Sequence, residues 1–161
     1  MDTISVLIVE DNPVTANIHR ELVESVEGFT VIAIAAARNK IIDLLASKRP
    51  NLVIIDHKLP DFSGFEIISF ARNSGLPIDF IMVTAVNDGI SLSLALRYGV
   101  MDYIIKPFQT ERLKAALVSY RIFLIQLTAE KTLPQEKIDA WYKTKVLLAS
   151  TDKSSQQTSL R

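Results

Sequence analysis

Apolar residues in this chain fall in short unbroken runs that alternate with stretches of helical spacing. Ile4 to Val9 is apolar except for Ser5 and stops on Glu10-Asp11-Asn12. Pro13 suits a first helical turn, and Val14 to Val26 keeps helical spacing until Gly28. Phe29 to Ala35 predicts a second strand, and Asn39 to Lys48 a helix stopped by Pro50. Leu52 to Ile55 is a third strand that ends abruptly on Asp56. Ser63 and Glu66 then have the spacing of a capping box for a helix from about Phe65 to Asn73. Ile78 to Val83 is a fourth strand, ending in Thr84-Ala85, and Gly89 to Tyr98 a helix closed by Gly99. Tyr103 to Ile105 is a short fifth strand before Lys106-Pro107-Phe108, and a last helix runs from about Thr110 to Glu130.

Short β-branched runs without polar alternation read as strands buried on both faces of a parallel sheet. Strands alternating with helices predict an α/β, three-layer sandwich. Right-handed crossovers leave few topologies, and the flavodoxin-like (βα)5 fold with strand order 2-1-3-4-5 is the natural one. A C-terminal helical extension follows it.

Composition narrows the function classes. Eighteen basic and eighteen acidic residues cancel, so no global basic field draws the chain to nucleic acid or membrane. The absence of cysteine excludes disulfides and thiolate metal sites. No basic, apolar leader follows Met1, and no apolar stretch is long enough to span a bilayer, so a cytoplasmic protein is expected.

Ligands of open α/β sheets bind beyond the carboxyl ends of the strands. Those ends carry Glu10 and Asp11, Asp56, Thr84 and Lys106. In the 2-1-3-4-5 order the first and third strands are neighbours, so three carboxylates are expected to converge in one crevice. Unpaired, they would repel. A hard divalent cation relieves this, and Mg²⁺ suits carboxylates, waters and a phosphate oxygen. Lys106 adds a point charge for a phosphoryl oxygen, and Thr84 a hydroxyl.

This set resembles the receiver domain of two-component response regulators. The resemblance rests on Glu10-Asp11, on Asp56 with Pro60 and Gly64, on Thr84-Ala85, and on Asp102 to Phe108, and it covers roughly residues 4 to 125. The stretch from Arg97 to Phe108 and the long last helix look most like the citrate- and C4-dicarboxylate-responsive subgroup. The resemblance implies a receiver domain over residues 1–125, and an extended helix, short helix and linker over 126–161. It implies Asp56 as phosphoacceptor, a carboxylate nucleophile toward a phosphohistidine on a sensor histidine kinase. Glu10, Asp11, Asp56 and the backbone carbonyl of Lys58 would hold Mg²⁺, with Asp11 weighted above the longer Glu10. Thr84 and Lys106 would bind the phosphoryl group. Thr84 and Tyr103 would switch, shifting the surface of helix four, strand five and helix five. The Lys106-Pro107 bond is expected to be cis. Val86 offers no group to activate water, so a long-lived phosphoryl state is expected.

Each of these residues has a plainer reading. Glu10 and Asp11 could cap the first helix, Thr84 could be an ordinary strand residue, and Lys106 a surface lysine. Only their joint placement argues otherwise. His19 reads as a solvated mid-helix residue, His57 as a loop residue, Asp61 as turn chemistry and Trp141 as packing in the extension. Leu113, Leu117, Tyr120, Leu124 and Leu127 recur in steps of four and three, a short heptad seam or else a face packed on the sheet. Ile122, Phe123 and Ile125 make the helix apolar all round beyond Tyr120, which calls for burial. A dimer contact or a dock for the following segment is expected there, with the face of helix four, strand five and helix five as the other candidate for a homodimer. Gln135 to Leu148 has a further helical pattern, and Ala149 to Arg161 has linker composition.

The expected output is transcriptional, through a DNA-binding domain absent from this chain; a stand-alone receiver acting by protein contacts is the alternative. An aspartyl phosphatase would need an acid where Lys58 stands. A flavin carrier would need a phosphate cradle where Glu10-Asp11-Asn12 stands.

Overall fold

The computed structural model describes residues 2–143, and the reading of Ala149 to Arg161 as linker lies outside them. One compact unit ends at Arg121, and a second begins at Ile122.

In the first unit, β1 (Ile4–Val9), β2 (Phe29–Ala35), β3 (Leu52–Ile55), β4 (Asp79–Thr84) and β5 (Asp102–Ile105) form one sheet in the order β2-β1-β3-β4-β5. Every pairing is parallel. The helices are α1 (Pro13–Glu24), α2 (Arg38–Lys48), α3 (Gly64–Asn73), α4 (Gly89–Arg97) and α5 (Thr110–Ala129), the last of which runs on into the second unit. The expected strand order and flavodoxin-like fold are what the molecule has.

All four residues of β3 are buried, as are the last four of β1 and the last five of β4. Alternate strand residues face opposite ways. Leu7, Val9, Val53, Ile55, Phe80 and Met82 join one core with Ile41 and Leu45 of α2 and Ile67 and Ile68 of α3. Strand alternation turns Val6, Ile8, Ile54 and Ile81 to the other face, where α1 and α5 bury Val23, Leu113 and Leu117. The sheet is therefore a dry platform, and polar groups collect where the strands end.

Local chemistry sets the helix starts. The Asn12 side chain accepts from the backbone N–H of Val14 and Thr15 at 3.0 and 3.1 Å, with Pro13 at the first helical position. Asp88 caps α4, accepting from Ser91 N at 2.8 Å. That backbone bond and the Ser91 hydroxyl hold its carboxyl below the ordinary range. Ser63 caps α3 through Phe65 N at 3.2 Å. The reciprocal half of the expected capping box does not form, because the Glu66 carboxylate turns to Arg38, 3.4 Å away.

The heptad seam divides. Leu113, Leu117 and Tyr120 are buried, with the Tyr120 hydroxyl donating to Asp79 Oδ2 at 2.7 Å and to Asn51 O at 3.2 Å. Leu124 is half-buried and Leu127 exposed, so no continuous stripe is covered. Burial beyond Tyr120 is also partial: Ile122 and Ile125 are exposed, while Phe123 stacks on Trp141 at 4.2 Å. Trp141 is thus the packing residue expected, on a helical segment over 135–143. No described helix is long and apolar enough to cross a membrane.

Candidate functional site

The parallel sheet delivers Glu10, Asp56, Thr84 and Lys106 to one end, each at or just past the close of its strand. Lys106 reaches furthest. Its Nζ donates to Glu10 Oε2 at 2.9 Å and to Asp56 Oδ2 at 3.0 Å. The three side chains are 22%, 5% and 13% exposed, so water screens the contacts only partly. Burial alone would lower the Lys106 value. The bonds to Glu10 and Asp56 outweigh it and hold the ammonium above the ordinary lysine range.

The loop after β3 fixes Asp56 from the other side. Asp56 Oδ1 accepts from the backbone N–H of Lys58 at 3.1 Å. The loop closes on itself through Leu59 N to Phe62 O at 3.1 Å and Gly64 N to His57 O at 2.8 Å. Gly64 is needed there: a Cβ would lie 2.1 Å from the Asp56 carbonyl oxygen. His57 turns its ring edge to Phe65 at 4.7 Å, a loop residue as expected, with Nδ1 buried and unpartnered among the described residues.

Thr84 is fully buried at the end of β4, and its hydroxyl accepts from Val86 N at 3.2 Å. Its carbonyl accepts from Lys106 N at 2.9 Å, tying the ends of β4 and β5 together. The Tyr103 hydroxyl donates to Val86 O at 2.5 Å, so one loop carries both contacts. Burial, then the charges of Asp88 and Asp56, raise the Tyr103 phenol above its ordinary value. The Lys106-Pro107 bond is cis, as expected.

Two of the three carboxylates expected at this end of the sheet meet at one cation. Glu10 and Asp56 share Lys106, but Asp11 is exposed. Among the described residues no three His, Cys, Asp or Glu side chains form a metal-holding group. Asp11 lies in the bend that follows β1, one residue past Glu10. The donor chemistry nevertheless fits a hard cation, because two carboxylate oxygens already lie about one positive charge.

Two residues depart from their sequence reading or escaped it. His19 is buried rather than solvated, with its ring 5.8 Å from that of Phe108. The signal was present: Ala16, His19 and Val23 share one helical face, and all three are buried. Arg72 donates to Tyr98 O at 3.0 Å and Ile78 O at 2.7 Å and lies over the Phe80 ring, joining α3, α4 and β4. No sequence pattern marks such a bond.

The family model for the response regulator receiver domain matches residues 6–118. A Priestia megaterium protein named "probable C4-dicarboxylate response regulator DctR" is 38% identical over 136 residues, 84% of this chain and 60% of that protein. The transcriptional regulatory protein CitB of Klebsiella pneumoniae is 34% identical over 142 residues, 88% of this chain and 61% of its own length. The chain thus spans only 60% and 61% of these two relatives. The signal receiver domain of a Luxo repressor protein from Vibrio parahaemolyticus superposes with a TM-score of 0.70 at 25% identity, over 80% of this chain and 98% of that one. With the receiver model matched over residues 6–118 and the same fold, this chain belongs to the response regulator receiver domain family, and its relatives include the citrate and C4-dicarboxylate subgroup.

Proposed function

We propose that this chain is a phosphoacceptor domain switched by Mg²⁺-dependent phosphorylation of Asp56 from a sensor histidine kinase in the cytoplasm. The observation that supports it best is Lys106 Nζ, 3.0 Å from Asp56 Oδ2 and 2.9 Å from Glu10 Oε2 at the open end of the sheet. A carboxylate held between Lys106 and the Lys58 N–H is oriented rather than free. It attacks phosphorus, the P–N bond of the phosphohistidine breaks, and the imidazole leaves with the electron pair. Lys106 follows the negative charge onto a phosphoryl oxygen, and the Thr84 hydroxyl donates to another. Glu10, Asp11, Asp56 and the Lys58 carbonyl are the ligands proposed for Mg²⁺, which when bound neutralises charge on the transferred group. The Thr84 hydroxyl and the Tyr103 hydroxyl both bond Val86, so a change at Thr84 passes to Tyr103 through that residue, and Tyr103 is the reporter of the switch in this reading.

The chain is no turnover enzyme in this reading; it catalyses only its own phosphoryl transfer and loss. Val86 presents no group to activate water, so the phosphoryl state is long-lived; a half-life of seconds would sink that part. Exposed Ile90, Leu92 and Leu96 of α4, Ile105 of β5 and Val118 of α5 suit a partner or a second copy, and Ile122 and Ile125 offer the extended helix as the other homodimer surface. Residues 1–125 are read as the receiver and 126–161 as the connection to an output domain. Relatives of greater length, CitB among them named as transcriptional regulatory proteins, support a DNA-binding domain outside this chain over a stand-alone role. The test is uptake of one phosphoryl group from acetyl phosphate with Mg²⁺, read by intact mass. One adduct, lost with chelator, is expected; none in folded protein would reject the reading.

A further inference from the structure

Among the described residues the buried polar or charged side chains are Glu10, His19, Thr84 and Ser91. Three have evident work. Glu10 holds Lys106, Thr84 closes β4 beside the site, and Ser91 bonds the Asp88 cap of α4. His19 is left. It sits on the inward face of α1 with its ring tilted 40° to that of Phe108. Phe108 lies two residues past Lys106, in the segment that carries the ammonium away from β5.

Burial first, then the Lys106 charge, push the imidazole down to about 4 against the pull of Asp56. At neutral pH His19 is therefore an uncharged ring. It adds no second cation beside Lys106, and its contribution is shape. Lys106 Nζ meets two acids at once, 2.9 and 3.0 Å away, which limits how far its Cα can move before one contact is lost. On one side that Cα is fixed by Lys106 N on Thr84 O at 2.9 Å. Past Pro107, Phe108 meets the His19 ring of α1, with centroids 5.8 Å apart.

We propose that His19 is a positioning residue, its ring backing Phe108 from α1 and so fixing the turn that delivers Lys106 to Asp56 and Glu10. The kinetic consequence rests on the phosphoacceptor reading of Asp56; the geometric one does not.

Two variants and two readouts test it. Trace acylation with acetic anhydride, followed by peptide mass analysis, reports how well Lys106 is held; phosphoryl uptake from acetyl phosphate across donor concentrations reports the reaction. In His19→Ala, Lys106 should acylate several-fold faster. Uptake should slow about tenfold in maximal rate with little change in half-saturation, the signature of misplacement rather than lost donor binding. His19→Phe, which keeps an uncharged ring, should restore both. Unchanged Lys106 protection in His19→Ala overturns the proposal. So does a folded His19→Phe that behaves like His19→Ala. Should His19→Ala not fold, Phe108→Ala removes the contact from the other side and must expose Lys106 in the same way. A wild-type protein that takes up no phosphoryl group would reject the phosphoacceptor reading, while the acylation result would still decide the role of His19.

Discussion

Lys106 holds two acids from different strands together: Glu10 Oε2 and Asp56 Oδ2 lie 2.9 and 3.0 Å from its Nζ. Each carboxylate is more buried than the lysine that pairs with it. Lys106→Met removes the charge and leaves both acids facing one another. We expect a loss of about 1–3 kcal/mol at neutral pH, below the full cost of breaking a fully buried pair because the site is partly wet. Millimolar Mg²⁺ should recover stability in the variant more than in the wild type, since any ligand of the folded state stabilises it. Urea melts with and without Mg²⁺ check this. No stability change, or equal Mg²⁺ effects, would contradict it.

Gly64 and Gly75 make a controlled pair. A Cβ on Gly64 meets the Asp56 carbonyl oxygen at 2.1 Å, whereas Gly75, at φ +67°, has open space around it. Gly75→Ala should cost only the left-handed penalty of about 1 kcal/mol. Gly64→Ala must move backbone, costs about 2 kcal/mol or more, and displaces Asp56. Phosphoryl uptake should fall in the second variant alone. Equal activity in both would show that Asp56 tolerates the shift.

Acid stability should carry the signature of His19. Its folded value of about 4 lies below the ordinary 6.5, because the buried ring resists charge. As pH falls, the unfolded chain takes up this proton first. The contribution is complete above about pH 6.5, is lost on the way down to about pH 4, and levels off below that. The loss is about 2 kcal/mol after discounting for solvent screening. His19→Phe should flatten that part of the curve. Parallel pH profiles for the two proteins would refute a buried neutral His19.

Tyr120→Phe deletes a hydroxyl that bonds Asp79 Oδ2 and Asn51 O inside the fold. Burial, then Asp79, keep that phenol protonated well above its ordinary range. Losing it should cost about 1–2 kcal/mol, since the Asp79 carboxylate loses a donor. Phosphoryl uptake should not change, because Asn51 and Asp79 lie at the amino ends of β3 and β4, opposite the ends that carry Asp56 and Thr84. A drop in uptake without a drop in stability would contradict this separation.

Much of the fold was legible because its signals are local. Buried strands such as Leu52–Ile55 show as unbroken apolar runs, and Asn12-Pro13 marks a helix start by its own chemistry. The site was legible as a set because strand order places strand ends. What escaped depends on side-chain direction. Glu10 and Asp56 bond one lysine, whereas Asp11, the next residue after Glu10, is exposed, a difference no sequence spacing shows. Glu66 has capping-box spacing but finds Arg38 instead. His19 has polar neighbours in sequence, but helical spacing puts it beside Ala16 and Val23 on the buried face. The seam keeps its period through Leu127, yet its burial ends at Tyr120, so period alone does not show where packing stops.

The most direct test of the account is to locate the phosphoryl group. The protein is incubated with acetyl phosphate and Mg²⁺, reduced with borohydride, which converts an aspartyl phosphate to homoserine, and digested for peptide mass analysis. Phosphorylation of Asp56 predicts homoserine at position 56 alone, none without Mg²⁺, and none in Asp56→Asn. Homoserine at another acid, or an unmodified Asp56 in folded protein, would contradict it.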